Sequence, residues 1–102
     1  MSATFRKTAF EEFTRYHEFK RSDGTGWLAD GETIQGAPTV TCKDEAGVDT
    51  SASMVASPGG AGTTRATYIV KGGAAGKTYT YTIKITTSTS QKFEDSVIME
   101  VI

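Results

Sequence analysis

Few residues in this chain are of types that do chemistry, and they do not converge in sequence. Gly72-Gly73-Ala74-Ala75-Gly76-Lys77-Thr78 has the composition of a phosphate-binding loop. Such a loop presents backbone N–H groups to a phosphate and feeds a helix N-terminus. Here the gap between Gly72 and Gly76 is one residue too short, and the chain continues into an alternating segment rather than a helix. His17 is the only histidine. A general base needs a partner and a pocket, and no Ser or Cys nucleophile is visibly paired with it, so it reads as an ordinary residue of an N-terminal strand. Cys42 shares a strand face with Val40 and reads as a small core residue rather than a reactive thiol. A single cysteine excludes an internal disulfide and a Cys-rich zinc site. Asp23, Asp30, Glu32, Asp44, Glu45 and Asp49 fall mostly in loops. The run Asp44 to Asp49 only faintly echoes a calcium loop, so these carboxylates read as solvated turn residues. The expectation is no catalytic residue, no metal ligand and no cofactor, hence no enzyme.

The elements around these residues are strands. Tyr79, Tyr81, Ile83 and Ile85 alternate with Thr80, Thr82, Lys84 and Thr86. Period two puts the apolar set on one face and the polar set on the other, which predicts a strand over Thr78 to Thr86. Val97, Met99 and Val101 predict another, joined through the polar turn 87–91 as a hairpin. Arg65 to Lys71 alternates with Ala66, Tyr68 and Val70 on one face, Pro38 to Lys43 with Val40 and Cys42, and Met54 to Ala56 is a shorter candidate. Asp44 to Gly47, Pro58 to Gly62 and Gly72 to Gly76 separate them as turns. Short strands at this spacing predict an all-β fold, an immunoglobulin- or fibronectin III-like antiparallel β-sandwich of about seven strands. In such sandwiches a tyrosine at the corner between the sheets bonds a backbone group a few residues upstream. Tyr79, preceded by Gly76, is the candidate for that structural corner.

The N-terminal stretch is harder to read. Phe10, Phe13 and His17 have a spacing that suits a short helix. The reading preferred is an extended arm over residues 1–13, followed by a single domain over 14–102 whose first strand lies near Arg15 to Lys20. Phe5, Phe10 and Phe13 on such an arm are candidate partner-binding residues. Trp27, after Gly24-Thr25-Gly26, is either a core anchor or a partner anchor of the kind enriched at binding hot spots. Lys43, Lys71 and Lys84 are candidates for protecting open sheet edges.

Composition sets the outer limits. The chain has 102 residues, 23% of them charged, and a net charge of −1. That is room for one core, with no basic surplus for a nucleic-acid backbone. No apolar run approaches the roughly 18 residues of a membrane span, and Met1 to Phe13 lacks the apolar core of a signal peptide. Threonine is the commonest residue and Leu28 the only leucine, which favours pleated, half-buried surfaces over helices.

Two segments together carry a family resemblance. Trp27-Leu28-Ala29-Asp30-Gly31-Glu32-Thr33-Ile34 is one, and Gly72 to Thr80 running into Ile83-Lys84-Ile85-Thr86-Thr87-Ser88 is the other. With Glu94 to Val101 as a closing strand, they resemble the fibre–tail adaptor group of tailed bacteriophages and prophages, small immunoglobulin-like virion structural proteins. The resemblance runs from Trp27 to the C-terminus. It implies a non-enzymatic assembly protein of the virion that joins a tail or neck component to a fibre or baseplate component. Its partners would be other phage structural proteins, with self-association as a ring, and with neither nucleic acid nor membrane. The alternative is an immunoglobulin- or fibronectin-like ligand- or carbohydrate-binding adhesion module, because fold alone does not separate the two.

Overall fold

The computed structural model describes residues 3–19, 28 and 31–102. Its strands are β1 (Ala3–Lys7), β2 (Phe13–Glu18), β3 (Thr39–Lys43), β4 (Val55–Gly59), β5 (Arg65–Val70), β6 (Thr78–Thr86) and β7 (Lys92–Val101), with a single helical turn, α1 (Ser51–Met54), ahead of β4. Two sheets face each other, one ordered β1-β7-β6-β3 and the other β2-β5-β4. The expected β-sandwich is therefore present. Every paired strand is antiparallel except β1, which runs parallel to β7, Ala3 opposite Val97 and Lys7 opposite Val101.

Alternation decides which side chains enter the core. Tyr79, Tyr81, Ile83 and Ile85 of β6 are buried, and so are Val97, Met99 and Val101 of β7, Ala66, Tyr68 and Val70 of β5, and Val40 and Cys42 of β3. Burial pushes the Cys42 thiol pKa upward, which suits a packed side chain and not a nucleophile. The sheets are stapled as well as packed. The Tyr81 hydroxyl donates to Met54 O at 2.8 Å, and the Tyr68 and Tyr81 rings stack at 5.7 Å between centroids. His17 Nε2 meets Asp95 Oδ2 at 2.9 Å, linking β2 to β7.

Three expectations are corrected. A free arm over residues 1–13 is not what forms: Ala3–Lys7 joins the larger sheet as an edge strand. Phe5 packs against the core, and its ring lies 6.3 Å edge-on from Phe13. The first strand of the smaller sheet opens at Phe13 rather than near Arg15, and no helix spans Phe10 to His17, because Phe13, Arg15 and His17 are half-buried at strand spacing. Of the three lysines expected to guard sheet edges, only Lys43 lies on an edge strand, at the end of β3. Lys84 sits on the central strand β6 and Lys71 follows the central strand β5. The β3 edge is covered by its following turn, since Cys42 N–H donates to Ser51 Oγ and Cys42 O accepts from Thr50 N–H, both at 2.8 Å. The β4 edge is broken by Pro58 and by Ser57 at φ 51°, a bulge-and-proline device that blocks further strand pairing.

Candidate interaction surface

The strands place two sets of loops at opposite ends of the sandwich. One end carries the β1–β2 loop 8–12, the turn 44–49 and the corner 71–77. The other carries the segment 31–38, the β4–β5 turn 60–64 and the β6–β7 turn 87–91.

At the first end the glycine-rich corner is packed rather than open. Gly73 stands at φ +96°, and a Cβ there would meet Val101 Cγ2 at 2.8 Å and the Tyr79 ring at 3.3 Å. The Gly76 N–H donates to Val101 O at 2.7 Å, and the Val101 N–H donates to Lys77 O at 3.0 Å. The Tyr79 hydroxyl accepts from the Ala74 N–H at 3.0 Å. The corner thus closes on the end of β7 at Gly73, while the cleft of about 230 Å³ beside it, lined by Asp44, Glu45, Ala46, Ala74, Lys77 and Tyr79, carries two carboxylates that disfavour a phosphate. Tyr79→Phe removes the acceptor of a part-buried N–H, and a loss of about 1 kcal/mol is expected by urea denaturation, with no change in the m-value. No measurable loss would mean that Ala74 N–H is satisfied by water.

Beside this corner lies a feature that sequence reasoning missed. Lys7 is only 1% exposed. Its ammonium donates to Thr8 O at 2.8 Å and Glu11 O at 2.9 Å, while Thr8 N–H donates to Glu11 Oε1 at 2.7 Å. Desolvation pushes the Lys7 pKa down, against the nearby Glu11 and Glu12 carboxylates, which raise it. A lysine is almost never buried unless it is paired, and here it binds the carbonyls of the loop it precedes. These bonds tie the loop to β1, and at its tip Phe10 is 96% exposed. The available signal was the alternation Phe5-Arg6-Lys7, which puts Lys7 on the inward face with Phe5.

Of the partner-binding candidates among the described residues, Phe10 alone is fully displayed. Phe5 and Phe13 are partly buried against the core, and the Arg15 guanidinium lies 3.9 Å over the Phe5 ring. This corrects the expectation for those two rings: each belongs to a strand whose inward face needs an aromatic. Trp27 lies outside the described residues, as do Asp23, Asp30 and the loop Arg21 to Gly26. Tyr16 is exposed on β2, but one face of its ring is covered by the Arg65 guanidinium at 4.6 Å.

At the opposite end, Glu32 is buried and accepts from the Thr87 hydroxyl at 2.6 Å and from the Thr89 hydroxyl. Gln35 N–H donates to Thr86 O, Ser88 N–H to Thr33 O, and Ile34 N–H to Thr63 O, each at 2.8 Å. The two sequence segments that carry the family resemblance therefore meet here. The carboxylates of the turn 44–49 act locally: Asp44 Oδ1 accepts from Ala46 and Val48 N–H, both at 2.9 Å. Asp49 accepts from the Ser51 N–H and hydroxyl, which hold its carboxyl below the usual range. Among the described residues, no three of His, Cys, Asp and Glu are grouped to hold a metal ion, and no helix is long and apolar enough to cross a membrane.

A family model described as podophage GP4 fiber-tail adaptor protein gp77 matches residues 17–100. No curated protein and no solved structure matches the chain.

Proposed function

We propose that this chain, which belongs to the podophage GP4 fiber-tail adaptor family, is a non-enzymatic structural protein of a phage or prophage virion that joins a tail or neck component to a fibre or baseplate component. The family match over residues 17–100 carries this reading. The strand orders β7-β6-β3 and β2-β5-β4 follow the G-F-C and B-E-D orders of immunoglobulin sandwiches, which supports an immunoglobulin-like domain. A corner glycine, Gly73, packed by Val101 and Tyr79 and turn carboxylates engaged by backbone N–H groups fit a scaffold whose work is contact with other proteins. Phe10 is the residue displayed for such contact.

The test is particle assembly. The gene is deleted from the phage that encodes it, and fibres on purified particles are counted by electron microscopy. Particles without the protein are expected to lack fibres and to regain them when the purified chain is added. Fully fibred particles in its absence overturn the adaptor reading.

A further inference from the structure

We infer that the end of the sandwich carrying the loop 8–12 and the turn 44–49 is a docking face, and that it fits a virion protein presenting an apolar socket rimmed by lysines or arginines. The inference rests on the assembly reading above and specifies the chemistry of one of its partners.

The mounting of Phe10 is the first ground. An exposed apolar side chain alone is ordinary, but this one stands on a loop tied from beneath. The Lys7 ammonium donates to the Thr8 and Glu11 carbonyls, and the Glu11 carboxylate accepts from the Thr8 N–H. Burying an ammonium is unfavourable unless its donors are satisfied. Here a buried ammonium fixes a loop whose own tip packs on nothing, since Phe10 is almost wholly exposed. A loop already cross-tied has less freedom to lose on association. The side chain is convex, so the partner has to supply the socket.

The surroundings of Phe10 set the chemistry of that partner. Val48, a second exposed apolar side chain, lies in the turn 44–49 at the same end. The loops 8–12, 44–49 and 71–77 together carry five carboxylates against two lysines. Glu12 and Glu45 are exposed in the same loops as Phe10 and Val48. Such a face is complementary to a basic rim, and like charge opposes a phosphate-rich surface. The scale also suits one partner. β1 and β3, which lead into the two loops, are the opposite edges of the larger sheet, three strand spacings or about 14 Å apart. That lies within the roughly 800 Å² that each protein gives to a stable interface.

The test titrates purified chain onto fibreless particles and counts restored fibres. Three variants are compared with wild type: Phe10→Ser, the charge-reversed pair Glu12→Lys with Glu45→Lys, and the control Tyr16→Ser on the flank of the sandwich. All the substituted side chains are exposed, so each variant is expected to keep the wild-type thermal midpoint within a few degrees, which is checked first. Wild type and Tyr16→Ser are expected to restore fibres at the same concentration. Phe10→Ser is expected to need at least about tenfold more, since a few anchors dominate contacts of this kind. The charge-reversed pair is expected to need more at low salt, with its gap from wild type closing as salt screens exposed charges. Phe10→Ser working at the wild-type concentration, or losing no more than Tyr16→Ser, overturns the inference and leaves the adaptor reading standing. A charge-reversed pair that works as well as wild type overturns the basic rim. Light scattering of the chain alone and flotation with anionic lipid vesicles cover the other occupants. Self-association or vesicle binding that disappears in Phe10→Ser would assign the face to a second copy or a membrane, and overturns the inference too. Fully fibred particles in the absence of the chain overturn both readings.

Discussion

Gly60→Ala is expected to cost about 3–5 kcal/mol of stability, the range reached only when a substitution forces backbone strain or a buried clash. Gly60 opens the β4–β5 turn at φ +115°, where an L side chain is strained whatever the space around it. Space is also missing. A Cβ would sit 2.0 Å from Arg65 O, 3.0 Å from Arg65 C and 3.1 Å from Ala66 Cα. Those are main-chain atoms of a central strand, so no flexible side chain can move aside. The turn is further tied down by Thr63, whose hydroxyl donates to Gly60 O at 2.7 Å and whose N–H donates to the same carbonyl at 3.1 Å. Gly62→Ala in the same turn is the control. It carries a comparable φ of +80° with nothing within 4 Å of the added Cβ, so only the conformational penalty of about 1 kcal/mol applies. Urea denaturation of both variants reads the difference directly. Losses within about 1 kcal/mol of each other would mean that the turn relaxes without the clash.

The second large effect is on alkaline stability. Burial raises the pKa of Tyr81 well above the ordinary tyrosine value, and raises Tyr68 and the Cys42 thiol as well. For Tyr81 the nearby Cys42 and Tyr68 add to the shift, while for Tyr68 the Arg15 side chain opposes it. A raised pKa means that the folded protein keeps protons the unfolded chain releases. The stabilisation is complete below the unfolded pKa and is lost as pH climbs above it. Each such group removes about 1.4 kcal/mol per pH unit only between its unfolded and its folded pKa, so the largest share of the loss falls to Tyr81, whose shift is the largest of the three. Against a total of roughly 5–15 kcal/mol for a domain this size, stability is expected to fall progressively above about pH 10. Lys7 works with the opposite sign. Its pKa is lowered by burial, so its contribution improves as pH rises toward the ordinary lysine value, which delays the loss without reversing it. Circular dichroism across pH 8–13 checks the expectation. Tyr68→Phe provides the dissection. Among the described residues the buried Tyr68 hydroxyl makes no hydrogen bond of good geometry, with the Arg15 side chain beside it, so its removal is expected to leave neutral-pH stability unchanged or slightly higher and to move the alkaline midpoint upward. An unchanged alkaline midpoint in that variant would mean that Tyr68 does not set it.

Alternation in the sequence was enough to identify the sandwich and most of its interior. In β6 the pattern Tyr79, Tyr81, Ile83, Ile85 matches the buried face residue for residue, because the side-chain period of a strand is two whatever it pairs with. The same logic held for β3, β5 and β7. At the corner, a glycine-rich stretch before an alternating run argued against a helix N-terminus, and the Ala74 N–H donates to the Tyr79 hydroxyl there. Membership in a phage adaptor family followed from two segments far apart in sequence, and the fold explains why they go together. Glu32 sits under the Thr87 and Thr89 hydroxyls, a contact that residue order alone does not reveal.

Tertiary structure decided what periodicity leaves open. Residues 1–13, with Ala3–Lys7 among them, read as an arm because strand patterning names no partner for them. The parallel pairing of Ala3–Lys7 with the far end of the chain, Lys7 opposite Val101, depends on the shape of the completed sheet. Burial of Lys7 follows from that pairing, and the fixed display of Phe10 follows from Lys7. The aromatic trio divides for the same reason. Phe5 and Phe13 have the rims of two facing sheets to fill, whereas Phe10 lies on the link between them, where the chain turns away from the core. Sequence determined which side chains are apolar enough to be anchors. Only the fold determined which of them had already been used inside.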